Sequence, residues 1–178
     1  PEALLAVTAQ LLSALEHLHA NEQVFGDLDA AQVSLSTRTG ALPRARLYGV
    51  GARGGESVLK TAAPERRQGK PATRSSDLYG LGALVGAALG DGTGPAASVL
   101  RPVLRGLTSE SPSARTANAG EALQELLEWH PESIQFLKGE LPETECVGRE
   151  AELENLLLAL EGALLDRPRG PRVWIQVV

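Results

Sequence analysis

Leucines recur at helical spacing from the start of the chain. Leu4, Leu5, Leu11, Leu12, Leu15 and Leu18 lie within EALLAVTAQLLSALEHLHA, residues 2–20. Apolar positions three and four residues apart share one face of a helix, so a long, largely buried helix is predicted. Asn21 is expected to close it, because asparagine tolerates the left-handed conformation common just past a helix end. The period then changes. Val33-Ser34-Leu35 and Ala45-Arg46-Leu47-Tyr48 alternate, with Thr39-Gly40 and Pro43 between them, which predicts a small β-hairpin. The glycine-rich stretch GVGARGGESVLKTAAPE, residues 49–65, has little to hold it in regular structure.

Helical spacing returns in DLYGLGALVGAAL, residues 77–89, through Leu78, Leu81, Leu84, Val85 and Leu89. Ser75 or Ser76 is the expected cap. Gly80, Gly82 and Gly86 each cost about 1 kcal/mol of helix propensity, and close packing against neighbours would explain them. After the loop GDGTGP, short helices are expected over 99–107 and 117–127, with Asn118 and Glu121 in capping-box spacing.

Beyond Trp129 the pattern shifts. HPESIQFLKGELPETE carries two prolines and several acids and reads as a linker, with a boundary near residue 140. An amphipathic helix follows through Leu153, Leu156, Leu157, Leu160 and Leu164. RVWIQVV, residues 172–178, then reads as a strand of the kind buried in parallel sheets. There is no internal repeat.

Composition narrows the function classes. The 17 basic and 22 acidic residues give a net charge of −5, which argues against a charge-driven nucleic-acid binder. The single cysteine, Cys146, excludes an intrachain disulfide framework and a cysteine-rich zinc site. No apolar run approaches the roughly 20 residues that span a bilayer, and no signal peptide is visible, so a soluble, cytoplasmic segment is expected. The absence of methionine and the start at Pro1 suggest part of a longer protein. Aromatics at 3% leave the core to Leu, Val and Ala, which favours helices.

The order of motifs carries a resemblance. LEHLH precedes the loop VFGDLDAAQVSL; a hairpin, GVG, APE and SDLYGLG follow. The chain resembles the helical C-terminal lobe of a bacterial-type Ser/Thr protein kinase over residues 1–128. The implied fold is mainly α with a small β-hairpin. In that family the loop reads H-R-D-L-K-P-E-N, with a catalytic aspartate and a magnesium-binding asparagine five residues on. In the same register stand Phe25-Gly26-Asp27-Leu28-Asp29-Ala30-Ala31-Gln32. The resemblance places Asp27 at the base that orients the substrate hydroxyl. Gln32 stands at the asparagine, a methylene longer, as a weak ligand for Mg-ATP. Asp29 replaces a lysine aimed at the transferred phosphate, and Gly26 an arginine that pairs with a phosphorylated activation loop. Gly49-Val50-Gly51 occupies the D-F-G position and so lacks the principal magnesium ligand, and Val58 stands where the P+1 threonine is usual. By the same resemblance Glu65, of Ala63-Pro64-Glu65, pairs with Arg115, and Asp77 holds the catalytic-loop backbone; these three are the structural residues.

A second resemblance covers the tail. Val147-Gly148-Arg149-Glu150, the amphipathic helix and RVWIQVV are similar to the entry of a STAND/AAA-type ATPase, an α/β P-loop domain. The G-x-x-x-x-G-K-[ST] loop itself is not in the sequence. The implied organisation is a kinase-like C-lobe at 1–128 without its N-lobe, a linker at 129–145, and the beginning of the ATPase domain at 146–178.

Blander readings stand beside these. Asp29 reads best as a loop carboxylate bonding nearby amides. Asp27 is either a working base or a relic. His17 and His19 read as helix-packing residues, since no Cys or acid lies at metal spacing. Ser57 and Thr61 are conceivable phosphosites, with an exposed loop hydroxyl the default. Gly54-Gly55 is a weak phosphate cradle, and Cys146 a small apolar filler.

The expectation is therefore a degenerate kinase-like domain, a pseudokinase, that regulates the linked ATPase through protein interactions. The alternative is an active Ser/Thr kinase with an altered metal site that moves the γ-phosphate of ATP, with Mg2+, to a protein hydroxyl. A plain helical bundle that mimics the motif order is the third reading.

Overall fold

The structure is a computed structural model, and it describes residues 2–26, 28–37, 42–51 and 61–137. These belong to the first of two compact units, Pro1–Gly139; the second, Glu140–Val178, lies outside the described residues. So do Asp27, Gly54, Gly55, Ser57, Val58, Cys146, the V-G-R-E element, the leucine-striped helix and the terminal strand.

The described unit is mainly helical, with one two-stranded antiparallel sheet. Helix α1 runs Glu2–Ala20 and buries Leu5, Leu11, Leu12 and Leu15 on the predicted face. Thr8, buried on the same face, donates its hydroxyl to the Leu4 carbonyl at 2.7 Å, so its polar atom is satisfied within the helix. The expected left-handed residue is displaced by one. Glu22, not Asn21, has the positive φ of 58°. Asn21 instead caps the helix end, its Nδ2 donating to the His17 carbonyl at 2.7 Å.

Strands β1 (Val33–Ser36) and β2 (Arg44–Leu47) pair with Val33 opposite Leu47 and Leu35 opposite Ala45. This register puts the apolar side chains on one face and Ser34, Ser36, Arg44 and Arg46 on the other. Gln10 of α1 ties down β2, accepting from Ala45 N at 2.8 Å and donating to the Pro43 carbonyl at 3.1 Å.

A short helix α2 (Pro64–Arg67) leads to the central helix α3 (Arg74–Leu89). Neither Ser75 nor Ser76 is its cap. Thr73 accepts from Ser76 N while Ser76 Oγ accepts from Thr73 N, a reciprocal box that starts the helix one turn earlier. Leu78, Leu81 and Val85 are buried, whereas Leu84 and Leu89 are half-buried. Helix α4 spans Pro95–Leu107, four residues longer at its start than expected. Pro95 accounts for this, because its fixed φ and missing N–H suit the first helical turn. Helix α5 spans Ala119–Trp129 behind Asn118, whose Oδ1 accepts from Glu121 N at 2.8 Å. The other half of the expected box differs: Glu121 bonds the Asn118 side-chain amide, not its backbone.

The core joins α1, α3, α4 and α5 around Leu12, Leu15, Leu78, Leu81, Leu100, Leu107 and Leu126. A 3-10 turn at Pro131–Phe136, inside the stretch expected as linker, packs on α1 and α5. His130 Nδ1 and the buried Ser133 hydroxyl bond across it at 2.9 Å.

Candidate functional site

The loop 24–32 hangs on the first turn of α3. Asp77 is wholly buried and lies one turn into that helix. It receives the N–H of Phe25 at 2.7 Å and of Gly26 at 2.9 Å, so one carboxylate satisfies two consecutive loop amides. His19 Nε2 lies 2.9 Å from the same carboxylate. His19 is buried, as its expected packing role requires, and it also orients Asp77. Charge-assisted bonds of this kind are about twice as strong as neutral ones.

The other side of the loop is tied by three more bonds. Gly51 N donates to the Phe25 carbonyl at 2.8 Å, so the Gly49-Val50-Gly51 stretch touches the loop through backbone. Tyr48 N donates to the Gln32 carbonyl at 2.9 Å. Thr61 donates its hydroxyl to the Leu28 carbonyl at 3.0 Å. Thr61 is therefore half-buried and bonded, unlike the exposed loop hydroxyl that is its default expectation. Phe25 itself is completely buried and anchors the loop in the core. Gly26 has φ 109°, a conformation that residues with a Cβ rarely adopt and that glycine takes without strain.

Asp29 and Gln32 meet each other. Asp29 N donates to Gln32 Oε1 at 2.8 Å, and Asp29 Oδ1 accepts from Ala31 N at 3.0 Å. Together they cap a 3-10 turn, Ala30–Gln32. The Asp29 carboxylate is buried in this role. Its bonding is that of a loop carboxylate holding nearby amides.

The second cluster is built on Arg115. Its Nη1 and Nη2 reach the two oxygens of Glu65 at 2.6 and 2.7 Å, a bidentate buried pair. The remaining donors meet carbonyls: Nε bonds Ser109 O at 2.8 Å, Nη1 bonds Ser75 O at 3.0 Å and Nη2 bonds Glu110 O at 3.3 Å. The guanidinium also lies over the Tyr79 ring, 4.9 Å from its centroid. The Arg115 hydrogen bond holds the Glu65 carboxyl below its ordinary pKa, against the opposing effect of burial. Because Ser75 and Asp77 share the first turn of α3, that turn joins both clusters.

The structure thus brings together Asp77 with the loop, Glu65 with Arg115, and Gln32 with Asp29. It adds His19, Ser75 and Tyr79, which the sequence does not mark as site residues, and gives Thr61 a part in holding the loop. Tyr79, two residues after Asp77 in SDLYGLG, carries the one usable signal, since an aromatic beside an expected buried cation suits stacking. Among the described residues, no group of three His, Cys, Asp or Glu side chains lies together as metal ligands would.

No protein-family profile and no curated protein matches the chain. Solved structures do match. One is the kinase domain of PknI from Mycobacterium tuberculosis, solved as a double mutant, at 23% identity and a TM-score of 0.53. The match covers 71% of this chain and 54% of that one, so the chain spans about half of the domain it resembles. The likeness establishes a protein-kinase-like fold.

Proposed function

We propose that the chain is a degenerate Ser/Thr kinase-like domain, a pseudokinase, which works in the cytoplasm through protein contacts and regulates the ATPase module that follows it. The observation that carries this reading is the use made of Asp29 and Gln32. In the resembling enzymes these two positions serve phosphate and metal; here they bond one another across a 3-10 turn. Gly49 and Gly51 offer no side chain to a cation. A carboxylate at Asp29 adds negative charge beside any bound polyphosphate. Phosphoryl transfer is mostly positioning and charge neutralisation, so losing the metal clamp removes much of what makes it fast. The described residues do not fit Mg-ATP. The polar groups are invested in the frame instead: His19–Asp77, Glu65–Arg115 and the bonds to Phe25 and Gly26. A rigid frame whose described residues gather no cluster of metal ligands suits a domain read by partners. The V-G-R-E element and RVWIQVV support the linked ATPase.

The test is Mg-dependent ATP binding and phosphate transfer on the full-length protein, with Asp27→Asn in parallel. No transfer by either form is expected. Robust transfer abolished by Asp27→Asn would instead establish the active-kinase reading, with Asp27 as base and Gln32 as a partial ligand.

A further inference from the structure

From the end of α2 to the first residue of α3 the chain collects Arg66, Arg67, Lys70 and Arg74 within nine residues that contain no acid. This happens in a chain whose net charge is −5. Arg67, Lys70 and Arg74 are exposed and Arg66 is half-buried. The cluster is folded, not strung out. Gly69, at φ 80°, turns the chain so that its N–H reaches the Arg66 carbonyl at 2.9 Å and Lys70 N reaches the Glu65 carbonyl at 3.1 Å. Arg66 Nη1 bonds the Lys70 carbonyl, and Arg67 Nε bonds the Ala62 carbonyl at 2.9 Å. The neighbouring acid, Glu65, is buried and committed to Arg115.

We propose that this patch is a docking surface for an acidic segment of a partner protein, a run of Asp and Glu side chains. The inference deepens the interaction-domain reading and rests on it. Arg67, Lys70 and Arg74 are exposed cations within eight residues of one another, and Arg74 stands at the first position of α3, where the helix dipole disfavours positive charge. Features that work against local stability mark places where a sequence serves function. An anionic partner relieves both. Guanidinium groups already fixed by backbone carbonyls lose little freedom on binding, and their planar fork matches a carboxylate with two bonds. Single-stranded nucleic acid, the competing polyanion, is bound with aromatic side chains that stack on its bases, and residues 66–74 contain none.

The experiment measures the fluorescence anisotropy of a labelled oligo-glutamate peptide against the full-length protein at rising salt. An oligo-lysine peptide and an oligothymidylate serve as comparison probes. Saturable binding of oligo-glutamate that weakens with salt is expected, with no binding of oligo-lysine. The R66E/R67E and K70Q/R74Q variants should each weaken it about tenfold or more. The second pair leaves the bonds from Arg66 and Arg67 to the backbone in place, and its melting temperature should hold or rise slightly as Arg74 leaves the helix N-terminus. Undiminished binding by well-folded K70Q/R74Q, no binding by the unaltered protein, or tighter binding of the oligothymidylate would overturn the proposal. Phosphate transfer measured on the same samples separates the two readings: transfer without peptide binding sinks both, whereas neither activity sinks the docking surface alone.

Discussion

Asp29 and Gln32 hold each other, with the Asp29 N–H on Gln32 Oε1 at 2.8 Å while the Asp29 carboxylate accepts from the turn that Gln32 ends. Both side chains find partners within the same four residues. The turn is closed by both of them.

Removing either half of this cap should cost about 1 kcal/mol, the usual worth of a side-chain cap. Because both act on one turn, Asp29→Ala with Gln32→Ala should cost less than the sum of the singles. Melting curves of the three variants measure this. Added Mg2+ and ATP should leave all of them, and the unaltered chain, where they were; a clear stabilisation by Mg-ATP that Gln32→Ala abolishes would make Gln32 a ligand after all.

Asp77→Ala should be among the most damaging single changes. It strands two loop N–H groups and the His19 ring nitrogen, and each buried group left unpaired costs about 1–3 kcal/mol. A total loss of about 3 kcal/mol or more is expected from denaturant unfolding. Hydrogen exchange gives the sharper reading, since the Phe25 and Gly26 amides should lose protection before the helix interiors do.

The Glu65–Arg115 pair sets a pH dependence with a definite sign. Arg115 holds the Glu65 carboxyl below its ordinary value of 4.5, so folding favours the ionised form. The resulting stabilisation is complete above the unfolded-state value and disappears as the pH falls through the lower, folded-state one. Glu65→Gln should therefore flatten the acid limb of a stability–pH curve. Arg115→Ala leaves a buried, uncompensated carboxylate and should cost about 3–5 kcal/mol at neutral pH. A loss below about 1 kcal/mol, the worth of an exposed pair, would mean that the pair does not hold the fold.

Helix positions are legible from leucine spacing because burial of one face dominates the choice of secondary structure. The start of α3 is not, because Thr73, Ser75 and Ser76 compete as caps and only the structure shows which hydroxyl meets an orphan N–H. The partners of Arg115 are half legible. The ordered motifs name Glu65, but the carbonyls of Ser75, Ser109 and Glu110 that take its other donors leave no trace in side-chain identity. His19 and Asp77 are 58 residues apart, and a histidine on an apolar helix face says nothing about what it meets. Asp27, the residue on which chemistry would turn, lies outside the described residues.

The three glycines of α3 are expected from the sequence to share one cause, and the structure divides them. A Cβ on Gly82 would come within 2.8 Å of Leu107 and Thr108, and one on Gly80 within 3.3 Å of Leu28, whereas Gly86 meets nothing within 4 Å. Gly82→Ala should therefore destabilise, because α3 and the end of α4 must separate to admit a methyl group, at a cost of about 1–3 kcal/mol. Gly86→Ala should stabilise by up to about 1 kcal/mol, the difference in helix propensity with no clash to offset it. Opposite shifts in melting temperature from one chemical change, four residues apart on the same helix, isolate packing from propensity. If both variants lose stability, propensity does not govern the Gly86 position.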